Sequence, residues 1–225
     1  MGRDNDPRER QARQLERKLN RRASYDRLLI VCEGSKTEPT YLNDIRIKHR
    51  LQTANVEITR SELGTEPIQI VDYALQLFLY GDATKNIKPK AFEKVYAVFD
   101  RDDHRTYFDA LGKITSLENR YKNDIRQIVT FEPIVSIPSF ELWLLLHFED
   151  VQHIMHRDEV LHRVKQHIPG YEKGNSGIHK MLESRFDSAT ARSTRLVDLN
   201  DPHDDTQPYT NVHELAELLK KLKDG

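Results

Sequence analysis

The apolar pattern of the chain begins abruptly at residue 27. Arg27-Leu-Leu-Ile-Val-Cys32 is a short continuous apolar run, the mark of a strand buried on both faces of a parallel sheet. Glu33-Gly34-Ser35 breaks it, and from Pro39 through Leu42, Ile45 and Ile47 the pattern is helical. Val56–Arg60 alternates as a second strand. Gly64-Thr65-Glu66-Pro67 then turns into a helix with Pro67 in its first position and an apolar stripe of Ile68, Val71, Ala74, Leu75 and Phe78. Residues 94–99 predict a third strand, ended by Asp100-Arg101-Asp102-Asp103-His104, and Tyr107, Phe108, Leu111, Ile114 and Leu117 mark the next helix. Residues 125–131 read as a fourth strand, continued by 134–137 toward Pro138.

No strand signal returns after Pro138. Ser139 is placed to cap a helix over 140–147, and helical periodicity recurs over 158–168, 176–195 and 211–223, punctuated by Pro169-Gly170, Pro202 and Pro208. Asn211 is the expected cap of the last helix, whose apolar face is Val212, Leu215, Leu218, Leu219 and Leu222. Alternating strands and helices predict an α/β fold, a mostly parallel sheet flanked by helices, with a helical C-terminal region packed on it. The expected organisation is a basic arm over 1–25, a catalytic α/β domain over 26–150 and the helical region over 151–225.

Composition narrows the setting. No run reaches the roughly 18 apolar residues of a membrane span, and the best one, residues 140–148, is interrupted by Glu141. The first 25 residues are charged, so no secretory leader is expected, and a single cysteine, Cys32, excludes a disulfide framework or a Cys-rich zinc site. The expectation is a cytoplasmic protein with no membrane association. Net charge is −1, so bulk attraction to nucleic acid is absent. Arg3, Arg8, Arg10, Arg13, Arg17, Lys18, Arg21, Arg22 and Arg27 nevertheless concentrate positive charge at the N-terminus. Such an arm can contact phosphates, or be no more than a solvated terminus.

The candidate chemistry lies at strand ends, where an open parallel sheet places its sites. Glu33 follows the first strand directly, and Asp100, Asp102 and Asp103 follow the third. If these strands are neighbours, the carboxylates converge and raise one another's pKa values unless a cation joins them. Such hard oxygen donors suit Mg²⁺ or Mn²⁺. A lone Asp-x-Asp in a loop is ordinarily just solvated. Paired with a strand-ending Glu-Gly two βα units earlier, it is far more specific.

That combination resembles the Toprim domain of topoisomerases, primases and several nucleases. The resemblance implies Glu33 as general acid/base and Asp100 and Asp102 as metal ligands. A closer resemblance covers nearly the whole chain. The runs Glu33-Gly34-Ser35-Lys36-Thr37-Glu38-Pro39-Thr40-Tyr41, Phe99-Asp100-Arg101-Asp102-Asp103-His104 and Ser139-Phe140-Glu141-Leu142-Trp143 through Phe148 resemble the signature blocks of the RloB family. Tyr171-Glu172-Lys173-Gly174 and Pro208-Tyr209-Thr210-Asn211-Val212-His213 resemble its two later blocks. Ile137 departs from the Asn that often precedes the proline of the third block. The resemblance implies a Toprim-type, Rossmann-like nuclease domain in restriction-associated or phage-defence systems, often beside an ATPase partner.

The reading that follows is a Mg²⁺- or Mn²⁺-dependent endonuclease acting on DNA or RNA. Glu33, Asp100, Asp102 and Glu141 are its expected catalytic and metal residues. Glu141 joins the set because a carboxylate within an apolar helix needs a metal or a basic partner; its alternative is the helix's one solvent-facing side. Secondary candidates are Glu38 (a further acid, or simply one favoured by the helix dipole), Lys36 and Lys173 for phosphate, Asp103, and His104 as proton carrier. Trp143 reads as core. Gly34-Ser35-Lys36-Thr37 is not a P-loop, because Ile30 stands where the first glycine is required. Two other classes stay open. One is a non-catalytic or conditional effector subunit binding an ATPase or nucleic acid, and the other is a phosphatase with Asp100 as nucleophile.

Overall fold

Leu28–Cys32 forms β1, every residue of which is buried on both faces, as the unbroken apolar run requires. This computed structural model describes residues 25–53 and 55–223, so the basic arm expected over 1–25 lies almost wholly outside the described residues. β1 lies between β2 (Val56–Arg60) and β3 (Lys94–Asp100), parallel to both, and β4 (Thr130–Ile137) adds in parallel beyond β3. The short β5 (Tyr209–Thr210) closes that edge antiparallel, giving the order β2-β1-β3-β4-β5. This is the α/β, mostly parallel, Rossmann-like sheet that the pattern predicts.

Alternate residues of β1 serve opposite layers. Leu29 and Val31 pack with α2 (Pro67–Tyr80) and α3 (Tyr107–Leu117), whose apolar stripes carry Ile70, Ala74, Phe78, Leu111 and Ile114. Leu28, Ile30 and Cys32 face the other side, where α1 (Thr37–Lys48) contributes Tyr41, Leu42 and Ile45. The C-terminal helices share that second core. These are α4 (Glu141–Leu145), α5 (Arg157–His167), α6 (Ile178–Leu182), α7 (Phe186–Leu199) and α8 (Val212–Lys221). Trp143 is fully buried there, as core. At the entry to β1, buried Arg27 donates to Glu93 and Asp124, tying together the approaches to three strands.

Three expectations are corrected. The fourth strand is shifted: residues 125–129 form a turn before it, with Ile125 and Ile128 exposed. Arg126 has φ 65°, and Asn123 Oδ1 accepts from the N–H groups of Ile125 and Gln127, so the backbone curls instead of extending. A strand does return after Pro138, the two-residue β5, too short to carry a period. Asn211 stands at the N-cap of α8 as expected, whereas Phe140 and not Ser139 precedes α4, and neither Ser139 nor Asn211 makes a side-chain cap bond. Ser139 Oγ donates to Glu141 Oε2 (3.0 Å), while Asn211 Oδ1 accepts from the Val135 N–H (2.8 Å) and its Nδ2 donates to the Pro133 carbonyl (3.1 Å). Pro133, with no N–H to offer, thus sits on the side of β4 where no long strand follows.

His147 and His179 are buried in the second core. His147 donates from Nδ1 to the Trp143 carbonyl (2.9 Å), and His179 lies edge-on to Tyr41 and Phe186 at centroid distances of 5.4 and 6.2 Å. Burial pushes both down from 6.5 to about 4. A depressed imidazole contributes stability above its unfolded value, and that stability is lost as pH falls from about 6.5 toward 4. Neither ring nitrogen of His179 has a hydrogen-bond partner among the described residues. His179→Phe is therefore expected to be at least as stable as the parent near neutrality, by about 1 kcal/mol. Its advantage should grow on acidification, as read by urea unfolding at several pH values. Parallel pH profiles for the two proteins would contradict this assignment.

Candidate functional site

The tips of β1 and β3 are adjacent, and their register sets the site. Cys32 pairs with Val98, the Glu33 N–H donates to the Val98 carbonyl (2.9 Å), and Glu33 Oε2 accepts from the Asp100 N–H (3.1 Å). The glutamate after β1 is thereby clamped against the last residue of β3. Asp100 is itself buried and pairs with Ser136 of β4. The chain then turns: the Arg101 N–H donates to the Ser136 carbonyl (2.8 Å) and the Asp102 N–H to the Pro138 carbonyl (3.0 Å), with Asp102 at φ 32°. Arg101 braces this turn, donating to the Asp102 and His104 carbonyls and to Asp205.

Two more carboxylates close on this pair. Glu38, in the first turn of α1, is 8% exposed, and its Oε2 lies where a Cβ on Gly34 would come within 2.7 Å. A side chain at Gly34 would therefore have to displace the Glu38 carboxylate. Glu141, at the start of α4, is 2% exposed. It accepts from Ser139 Oγ and the Tyr171 hydroxyl (3.4 Å) and meets Lys173 Nζ at 3.3 Å. Of the two partners anticipated for a buried Glu141, a metal or a base, the structure supplies the base. Gly174, at φ 89°, brings this loop onto Lys36, whose Cβ would be 2.8 Å from a Cβ at that glycine. Lys36 is exposed, with its stem against Gly174.

The electrostatics follow from burial. Desolvation, reinforced by Glu38, Glu33 and Glu141, pushes Asp100 well above the usual carboxylate range. Desolvation likewise raises Glu38 to about 7, with Glu33 and Glu141 adding and Lys173 opposing. Glu33 is raised by burial too, although the Asp100 N–H and His104 work against the shift. Lys173 loses solvation but is raised overall by Glu141, Asp100 and Glu38. His104 Nε2 is 3.0 Å from Glu33 Oε1, and its Nδ1 is 3.5 Å from Glu66 Oε1. Burial disfavours its charge, but the two acids prevail and raise it.

The structure thus gathers Glu33, Asp100 and Glu141 from the primary candidates and Glu38, His104 and Lys173 from the secondary ones. Asp102 departs from expectation: it forms an ion pair with Arg157, at the start of α5, and meets Glu33 only through the longer-range field. Asp103 is exposed on the same turn. Among the described residues, no three His, Cys, Asp or Glu side chains stand as a ready ligand set for a metal. Asp102 is held by Arg157, Glu141 by Lys173, and Glu33 by His104 and the Asp100 N–H. Glu33, Glu38 and Asp100 carry the oxygen donors that a hard divalent cation prefers, but they do not stand as a formed ligand set.

Sequence reasoning missed Glu66 and Arg157. Glu66 precedes Pro67 at the head of α2, accepts from Thr106 Oγ1 (2.8 Å) and shares His104 with Glu33. An acid on the turn leading from β2 into the next helix was a usable signal. Arg157 lies 55 residues from Asp102, and no local pattern links them.

No helix among the described residues is long and apolar enough to cross a membrane. No curated protein and no solved structure matched the chain. A family model described as RloB-like protein matches residues 28–219, from the first residue of β1 into α8, and so takes in both acidic strand tips and the Lys173 loop. The chain belongs to the RloB-like family.

Proposed function

We propose that this chain is a divalent-metal-dependent, Toprim-type nuclease that cleaves DNA or RNA phosphodiesters, and that it acts in a phage-defence system. The observation that carries the chemistry is the group of four acids, Glu33, Glu38, Asp100 and Glu141, packed under low solvent exposure with Lys173 and His104 as the cations beside them. A structural role gives no reason to bury so many like charges. The defence context rests on family membership alone.

In this reading Glu33, Glu38 and Asp100 would hold Mg²⁺ or Mn²⁺, with Asp102 joining once released from Arg157. The bound ion would neutralise charge on the phosphate and its leaving oxygen. Glu33 manages the proton of the attacking water or leaving group. Burial raises its affinity for a proton, which suits that task, and His104, hydrogen-bonded to it and steadied by Glu66, fixes its orientation. Lys173, half exposed above Glu141, presents a positive charge to a substrate phosphate at the mouth of the site.

Glu33→Gln and Asp100→Asn are each expected to lower cleavage of labelled DNA or RNA in Mg²⁺ by at least about 10²-fold with the fold retained. Undiminished cleavage by either variant, purified free of contaminating nuclease, would contradict the assignment. Cation binding has a separate signature. A carboxyl raised to about 7, as Glu38 is, contributes stability below its unfolded value of 4.5 and loses it as pH rises through 7. The contribution of His147 and His179 is already complete above about 6.5, while His104, raised by its two acids, loses its own contribution in the same direction as Glu38. Melting temperature in chelator should therefore fall between about pH 6.5 and 8, and Mg²⁺ or Mn²⁺ should restore it. Indifference of the melting temperature to both ions at every pH would argue against a metal site.

Lys173 provides a further check. Lys173→Met leaves Glu141 buried without its cation and should cost about 1–2 kcal/mol, less than a fully buried pair would because the lysine is half exposed. Adding Glu141→Gln should recover most of that loss. Urea unfolding of the single and double variants reads this directly, and additive losses would contradict the pairing.

A further inference from the structure

The turn that carries Asp102 also borders a cleft of about 310 Å³. Its lining is apolar at Pro138, Ile154 and Met155, and Ile154 leaves 43% of its surface in solvent. It is charged at Arg101 and Arg157 and at the acids Asp102, Asp103 and Asp205. The two arginines differ in availability. Arg101 is committed to Asp205 and to two carbonyls of its own turn, whereas Arg157 is 47% exposed and holds Asp102. An exposed ion pair of this kind contributes little and exchanges readily for a stronger anion. A phosphate is such an anion, offering a guanidinium more acceptor oxygens than one carboxylate.

We infer that this cleft receives one unstacked nucleotide of a single-stranded nucleic acid, its base on Ile154 and Met155 and its phosphate on Arg157. The inference rests on the nuclease reading and specifies its substrate class. Volume favours the assignment: the cleft is at the small end of ligand sites, large enough for one nucleotide and far too small for a duplex. Its surfaces favour it as well. An apolar wall contacts the face of a base, and base faces are available only where the strand is unstacked. Met155, an adaptable side chain, suits a wall that must accept any of the bases. Position adds a third argument, because Asp102 belongs both to this cleft and to the acidic turn. Transfer of Arg157 from Asp102 to a phosphate would free the Asp102 carboxylate to turn toward Asp100. Substrate engagement would then complete the acidic cluster.

The test uses the cleavage-disabled Glu33→Gln chain, so that oligonucleotides stay intact, and reads binding by fluorescence anisotropy in Mg²⁺. A labelled single strand, as DNA and as RNA, is compared with a hairpin duplex and with single strands carrying one abasic position walked along the sequence. At one register the missing base should weaken binding by about tenfold, the scale of one base contact. Adding Ile154→Asp should abolish that penalty, and adding Arg157→Glu should weaken every single strand by a similar factor. Hairpin binding should change less than about twofold in either case. Both positions are exposed, and unaltered melting temperatures would establish that the fold is retained. Single-strand binding insensitive to both substitutions, or equal sensitivity of the duplex, would overturn the inference. Cleavage by the parent chain would still stand in that event, whereas absence of both binding and cleavage would remove the nuclease reading as well.

Discussion

The site depends on one pairing register. Because β1 and β3 are hydrogen-bonded neighbours with Cys32 opposite Val98, the residue that ends the first apolar run lies against the residue that ends the third. Glu33 and Asp100 are then joined by a backbone N–H as well as by proximity. A slip of one residue would turn either side chain to the other face of the sheet and take the carboxylates apart. The register is secured away from the site by the alternation of Leu29 and Val31 into one core and Leu28, Ile30 and Cys32 into the other.

That constraint creates an electrostatic problem which the rest of the molecule answers. Carboxylates brought together at buried strand tips resist ionisation, and Glu38 and Glu141 deepen the difficulty. The C-terminal region supplies a partial answer through Tyr171 and Lys173, delivered by a loop whose Gly174 permits close contact with Lys36. Arg157 and His104 occupy Asp102 and Glu33 in turn. Each of these partners is a group that an incoming cation or phosphate could replace. The helices after Pro138 thus share the sheet's core and also tune the charge at its edge.

The sheet and two of its acidic tips were legible because the apolar runs of β1 and β3 stop abruptly at Glu33 and Asp100, and a run buried on both faces has no polar interior to confuse the reading. Glu141 was legible for a related reason, since a lone carboxylate in an apolar helix demands a partner. Other features depend on relations that leave no local trace. Ile125 and Ile128 look like strand residues but are exposed on a turn organised by Asn123. Ser139 and Asn211 have cap chemistry, yet their side chains serve Glu141 and β4. The Asp102–Arg157 pair and the sharing of His104 by Glu33 and Glu66 arise only when distant segments meet.

The central claim is that the acids at the tips of β1 and β3 share a cation. A crystal of the chain grown or soaked with Mn²⁺, with the ion located by its anomalous scattering, tests this most directly. The account predicts a peak bonded to Asp100 and at least one of Glu33 and Glu38, with Asp102 drawn away from Arg157. Ordered Glu33, Glu38 and Asp100 with no Mn²⁺ between them at a saturating concentration, and Lys173 and Arg157 still in place, would contradict it.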